Sequence, residues 1–221
     1  MEKGNIVKRL LIYLAGLLII ALGINVSKMA SLGISPVSSI PRALEVSLGF
    51  TLGQMVIVVY CLLVLAQLVV LRKDFRLINV LGVPVGIVFG WMVDLVGIDP
   101  NAFGHLLYGF PMPQNYVMRL VYLLVSIVII GIGVSVYLAP RLVPMPAEGL
   151  AQAISGKSGK AFGDCKSMVD CSLIAIAFLI QLIVLGTESL SGSTVVVREG
   201  TIIAAALVGQ VVKFINKRKK K

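Results

Sequence analysis

LGISPVSSIPRALEVSLGFTLGQ, Leu32 to Gln54, carries three Gly, two Pro, four Ser and an Arg, yet it lies between two long apolar runs. Gly and Pro punctuate helices, and Ser side chains compete for backbone hydrogen bonds. The stretch is therefore too broken to continue either run. What it does instead decides the fold, and its surroundings narrow the choice.

The chain has 221 residues, of which 58% are hydrophobic and only 14% charged, and its mean hydropathy is +0.99. A soluble domain carries about 25% charged residues, so the composition is that of an integral membrane protein. Crossing a bilayer as helix takes ~20 apolar residues. Runs at about 9–27, 53–71, 78–97, 117–139, 167–186 and 200–216 have that length. Six spans predict an all-α polytopic protein with one membrane domain over 1–221 and no room for a soluble one. The apolar core of the first run, Leu10 to Val26, is longer than the ~7–15 residues of a signal h-region, so it is read as a retained span.

A net charge of +10 would suit nucleic acid, but the placement of the cations points to membrane topology instead. With the N-terminus in the cytoplasm, Lys3, Lys8, Arg9, Arg72, Lys73, Arg76, Arg141, Lys157, Lys160, Lys166 and the tail KFINKRKKK (213–221) all fall inside. Lys28, Arg42, Arg119 and Arg198 remain outside, which is the positive-inside bias of a plasma-membrane protein with both termini cytoplasmic. The expected partners are membrane lipid and a small-molecule substrate, with no nucleic acid, and a homo-oligomer is left open. Near-surface cations of the tail would each gain ~1 kcal/mol from anionic lipid.

Chemical motifs are sparse. Cys61, Cys165 and Cys171 lie at or inside spans and are read as small apolar residues. His105 is the one histidine, and it has no acidic or Cys neighbours. No GxSxG, HExxH or phosphate-cradling Gly loop occurs, so neither an enzyme nor a metal or cofactor site is expected.

The strongest feature is an internal repeat. Shifting the chain by 110 residues aligns Arg9 with Arg119, Gly23 with Gly133, Pro36 with Pro146, Gly49 with Gly159, Gly53 with Gly163 and Cys61 with Cys171. Fifteen of the 55 positions from Arg9 to Leu63 are identical without a gap. Beyond that, Gln67 meets Gln181 after small insertions, giving repeats of about 9–97 and 117–216. An odd number of spans in each half predicts that the halves enter the membrane from opposite sides, as in many secondary transporters.

The opening stretch is mirrored by Leu142 to Asp164, LVPMPAEGLAQAISGKSGKAFGD. In each, a Pro precedes a short helix-capable segment, Val37–Val46 and Ala147–Ser155. Ten helical residues reach ~15 Å, half a bilayer, so both are predicted to be half-helices whose first-turn N–H groups attract anions. The candidate binding residues follow: Ser35, Pro36, Ser38 and Ser39 at one break, Pro146 and Glu148 at the other. Asp170, inside the fifth span, would cost ~3 kcal/mol or more at the bilayer centre without a purpose, unless Lys166 four residues back pairs with it. Its repeat mate is Tyr60, which completes the set. Asp94 and Asp164 fall near span ends and are read as interfacial, and Lys28 and Arg42 as snorkelling to headgroups. Gly82, Gly86 and Gly90, like Gly200, Ala204, Ala205 and Gly209, form smooth faces for helix packing, and Pro84 is expected to kink its span.

SLGISPVSSIPRALEVSLGFTLGQ and REGTIIAAALVGQ resemble the YczE/YyaS/YitT group of bacterial polytopic membrane proteins. Leu48 and Gly49 stand where that group has a TG pair, and Gln210 and Lys213 where it has Pro and Asp. The resemblance implies the multi-pass topology, with transport suspected for some members. The residues thus suggest a carrier of a small polar, zwitterionic or anionic molecule working by alternating access, the rival being a non-transporting accessory or scaffold subunit.

Overall fold

The computed structural model describes residues 3–104, 106–185 and 196–218. His105, Gly186 at the end of the fifth expected span, and Lys219–Lys221 of the basic tail lie outside the described residues. Among the described residues there are helices and no strand: α1 (Lys3–Ala30), α2 (Pro36–Leu48), α3 (Leu52–Leu71), a 3-10 turn (Arg72–Asp74), α4 (Leu77–Val80), α5 (Gly82–Leu95), α6 (Tyr116–Tyr137), α7 (Pro146–Ser158), α8 (Phe162–Leu185) and α9 (Glu199–Arg218).

Among the described residues, five stretches are long and apolar enough to cross a membrane: Ile6–Ala30, Leu52–Asp74, Leu77–Leu95, Tyr116–Tyr137 and Phe162–Val184. The expected sixth span, 200–216, is helical, but its apolar part, Glu199–Val212, is short. The expected third span is interrupted at Leu81, between α4 and α5. Pro84 explains the break, because it has no N–H to give the carbonyl of Val80 four residues back.

The long helices α1 and α6 lie antiparallel at the centre. Arg9 at the start of α1 donates to Pro140 O beyond the end of α6, Tyr13 stands edge-on to Tyr137, and Ala30 shares a cluster with Leu123 and Ile127. Their contact is reciprocal. A Cβ at Gly23 would meet Ile130 at 2.6 Å, and one at Gly133 would meet Ile20 at 2.7 Å, so glycine lets the two backbones approach where any side chain would hold them apart. α1 stops at the left-handed Ser31 (φ 52°), and the turn that follows α6 closes at the left-handed Arg141 (φ 50°), each N–H reaching back to a carbonyl three residues earlier.

The broken segments become α2 and α7, each 13 residues long with Pro in the first turn. Each begins inside the protein, at Pro36, Ser38 and Ser39 or at Pro146 and Ala147, and ends at the exposed Leu48 or Ser158. Gly49 (φ 74°) and Gly159 (φ 69°) terminate them in the left-handed conformation that glycine adopts without steric cost, and their N–H groups close on Glu45 O and Ser155 O. Around the central pair, α2 packs on α8 and α7 on α3, while α5 leans on α1 and α9 on α6.

The α3/α5 contact is closer still. A Cβ at Gly90 would meet Gly53 O at 2.6 Å, and Asp94 reaches the start of α3, accepting from Thr51 Oγ1 at 2.6 Å and Gly53 N at 2.8 Å. Asp94 keeps its place at a span end, one residue before the end of α5. It is buried, satisfying first-turn donors of a neighbouring helix that have no intrahelical acceptor.

Candidate functional site

The connection from α6 to α7, residues 138–145, is fixed from α1. Arg9 holds Pro140 O, and Tyr13 Oη donates to Val143 O at 2.9 Å. From α3, Gln67 Nε2 donates to Pro146 O at 2.9 Å. These three contacts place the first turn of α7 against α1, α3 and α6, with Glu148 at its third position. Burying such polar groups is tolerated because each finds a partner.

Two atoms at this point have no partner but each other. Tyr137 Oη and Glu148 Oε2 are sealed from solvent, and the phenol faces the carboxyl in a poorly aligned hydrogen-bonding contact. Tyr60 and Tyr13 also lie within electrostatic reach of Glu148. Tyr60 is stacked on Phe89 with ring centroids 5.7 Å apart, and Tyr13 meets Tyr137 edge-on at 5.9 Å. Phenols from α1, α3 and α6 thus all lie within electrostatic reach of one buried carboxyl group.

A cavity of about 640 Å³ adjoins this cluster, lined among others by Gln67, Leu71, Val143, Gly149, Gln152 and Lys157. It reaches the surface at the exposed pair Lys157–Asp74. Val143, the acceptor of Tyr13, and Gly149, the residue after Glu148, belong to its wall. The size falls within the ~300–1,000 Å³ typical of small-molecule sites.

The opposite end of α1 is built from the corresponding elements and is closed. Glu45 on α2 takes Lys28 on one oxygen and Arg42 on the other, at 2.6 Å for Arg42. Lys28 and Glu45 keep only 8% and 6% of their exposure. The expected snorkelling of Lys28 and Arg42 is corrected by this ion triad, whose acid the sequence reading passed over. Ser27 Oγ to Gly33 O at 3.2 Å, Arg198 to Ser31 O at 3.3 Å and Gly200 N to Leu32 O at 2.9 Å pin the 31–35 connection. The void left there, beside Ser27, Arg42 and Val196, is about 10 Å³, no more than one water.

The residues singled out from sequence therefore fall into two groups. Tyr60, Pro146 and Glu148 come together beside the cavity. Ser35, Pro36, Ser38 and Ser39 sit at the start of α2, where Ser35 and Ser38 bond each other at 3.2 Å and Ser39 donates to Pro36 O at 2.6 Å and Leu173 O at 3.4 Å. Asp170 is held by Lys166 at 2.5 Å, one turn away, and both lie within electrostatic reach of Glu148. Tyr13, Tyr137 and Gln67 were not anticipated. A phenol or amide within an apolar span is the signal that would have found them.

A family model described as "Family of unknown function (DUF6198)" matches residues 7–217. The Bacillus subtilis (strain 168) "Uncharacterized membrane protein YczE" is 26% identical over 216 residues, covering 96% of this chain and 87% of that protein. "Uncharacterized protein YyaS" of the same organism is 22% identical over 169 residues, 76% of this chain and 79% of the relative. No solved structure matches the chain.

Proposed function

The chain belongs to the DUF6198 family of membrane proteins, and we propose that it is a secondary transporter of a small polar molecule, built from two oppositely inserted three-helix units around a shared central site. The reciprocal Gly–Ile contacts of α1 and α6 support this reading, as do the two Pro-initiated, Gly-terminated half-helices. So does the pairing of α2 with α8 and α7 with α3, which the 110-residue shift converts into each other.

One observation carries the function: a cavity walled by Gly149, next to the solvent-sealed Glu148 Oε2, opens at one end of the molecule while the equivalent place at the other end is closed. A carrier caught with one gate open has this asymmetry. With the N-terminus cytoplasmic, as the distribution of cations suggests, the open end faces the cytoplasm, and the ion triad of Lys28, Glu45 and Arg42 is the outer gate.

Proteoliposomes challenged with panels of amines, amino acids and carboxylates test the reading. Flux of at least one compound in the wild type, lost in Glu148→Gln and preserved in Ser172→Ala on the exposed face of α8, is the expected outcome. Absence of flux for every panel, or undiminished flux in Glu148→Gln, counts against it.

A further inference from the structure

The open cavity carries a charge imbalance in its own wall, and we infer that it takes an organic acid, a carboxylate or phosphate monoester with a polar remainder, whose acidic head is held by Arg76 at the mouth. The inference deepens the transporter reading and rests on it only for passage of the acid across the membrane.

Six polar side chains line the cavity, and three of them are charged: Asp74, Arg76 and Lys157. Asp74 accepts from Lys157, and Arg76 stands within electrostatic reach of the same carboxylate. Two cations thus share one anion, and Arg76 makes no ion pair or side-chain hydrogen bond among the described residues. A single negative charge on the ligand balances the wall, whereas a cation would add to the excess. Glu148 does not change this count, because it is not part of the lining and its carboxyl faces Tyr137. A guanidinium presents its N–H donors in a planar fork that matches a carboxylate or phosphate.

The other three polar groups are amides, Gln67, Asn79 and Gln152. Gln67 is buried, whereas Lys157 and Asp74 are exposed, so the cavity runs inward from a charged mouth to a neutral floor. Gln67 Nε2 is committed to Pro146 O, but its Oε1 accepts nothing among the described residues, and neither Asn79 nor Gln152 has a bonded side-chain partner there. Such amides both donate and accept, which suits hydroxyl or amide groups on the body of the ligand better than an alkyl chain. Glycine keeps the floor clear, since a Cβ at Gly149 would meet Gln67 Nε2 at 2.9 Å. Arg76 lies between the spans Leu52–Asp74 and Leu77–Leu95, where lipid headgroups begin. The acidic head can therefore belong to a dissolved acid or to an anionic phospholipid, and both present the same chemistry to the guanidinium.

Binding is measured by titration calorimetry on the purified full-length chain in phosphatidylcholine nanodiscs, with gluconate and glycerol phosphate as probes. Glucitol, glucamine and glycerol carry the same polyol chains with the acid removed or exchanged for an amine, and serve as controls. At least one acid is expected to bind, and the controls to fail. Arg76→Gln weakens binding about tenfold, the size of one charge-assisted hydrogen bond. Lys73→Gln, at an exposed cation outside the lining, changes it by less than about twofold. A Cβ at Gly156 meets nothing within 4 Å, so Gly156→Trp fills the cavity and abolishes binding. To separate the two sources, native mass spectrometry counts the lipids kept by the chain after purification from mixed phosphatidylglycerol and phosphatidylcholine vesicles. Phosphatidylglycerol retained by the wild type and lost in both Arg76→Gln and Gly156→Trp, with no dissolved acid bound, assigns the site to a headgroup and keeps the inference. The inference is overturned if neither source binds, if glucitol or glucamine binds as well as gluconate, or if either folded variant retains full affinity. Should Gly156→Trp not fold, Arg76→Gln set beside Lys73→Gln decides alone. Acid binding without flux in proteoliposomes keeps the site and removes the transporter. Flux of an amine with no acid or headgroup bound does the reverse.

Discussion

The segments around α2 and α7 share a backbone and differ in nearly everything else. Each is 13 residues long, enters on Pro, starts in the interior and leaves through a left-handed Gly. In α2 the charged residues face the neighbouring helix end, and Glu45 locks Lys28 and Arg42 into a closed surface. In α7 the equivalents of Arg42 and Glu45 are Gln152 and Ser155, no lock forms, and a cavity of about 640 Å³ stands open. Glu148 replaces Ser38, so the open half also holds a solvent-sealed acid facing Tyr137. A duplicated frame has therefore been given a closing function on one side and a holding function on the other by a handful of polar substitutions.

The largest effect should come from breaking the lock. Glu45→Gln leaves Lys28 buried without its counter-charge, and removing one partner of such a pair costs ~3–5 kcal/mol. Thermal unfolding in detergent should fall accordingly, with partial recovery when Lys28→Met removes the stranded cation. An unchanged transition would mean that the closed face does not depend on the triad.

Next is accessibility. Ala153 and Ala43 are repeat mates, and both are buried, but Ala153 borders the cavity and Ala43 does not border the small void opposite. In a chain with Cys61, Cys165 and Cys171 replaced, Ala153→Cys should react with a water-soluble maleimide about tenfold faster than Ala43→Cys, since thiol reactivity follows exposure. Equal rates would erase the asymmetry. Adding Glu45→Gln should raise the Ala43→Cys rate.

A smaller effect is expected at Gln67. Gln67→Leu strands the carbonyl of Pro146, worth ~1–3 kcal/mol, and loosens α7 without touching α2. Melting should drop modestly, and Ala153→Cys should label faster still. The smallest concerns the mouth of the cavity. Asp74→Asn removes the pair with Lys157, whose side chains are 66% and 46% exposed, and the melting temperature should not move measurably, because water already solvates both groups.

Much of the frame was legible in sequence because it is written in Gly and Pro. Pro36 and Pro146, Gly49 and Gly159 mark where helices start and stop whatever surrounds them. The contents of the site were harder to read. In a span that is apolar all round, the 3.6-residue period does not say which side faces lipid and which faces protein. Tyr13 and Tyr137 could therefore not be assigned to a common interior. Their meeting depends on the antiparallel contact of helices more than a hundred residues apart, as does the bond from Tyr13 to Val143. The partners of Asp94 were hidden for the same reason, since Thr51 and Gly53 stand at the start of another helix. Glu45 meets Lys28 only because the 31–35 connection folds α2 back onto the end of α1, a turn that sequence spacing does not fix.

The mutual seating of Gly23 on Ile130 and Gly133 on Ile20 bears on how such a protein could move. Sliding one helix along the other by a single turn would drive an isoleucine into main chain at two points together, so α1 and α6 are interlocked against translation. Any exchange of open and shut ends must then leave this spine intact and pass through the outer helices, with the two short proline-led arms swinging about it as the moving parts.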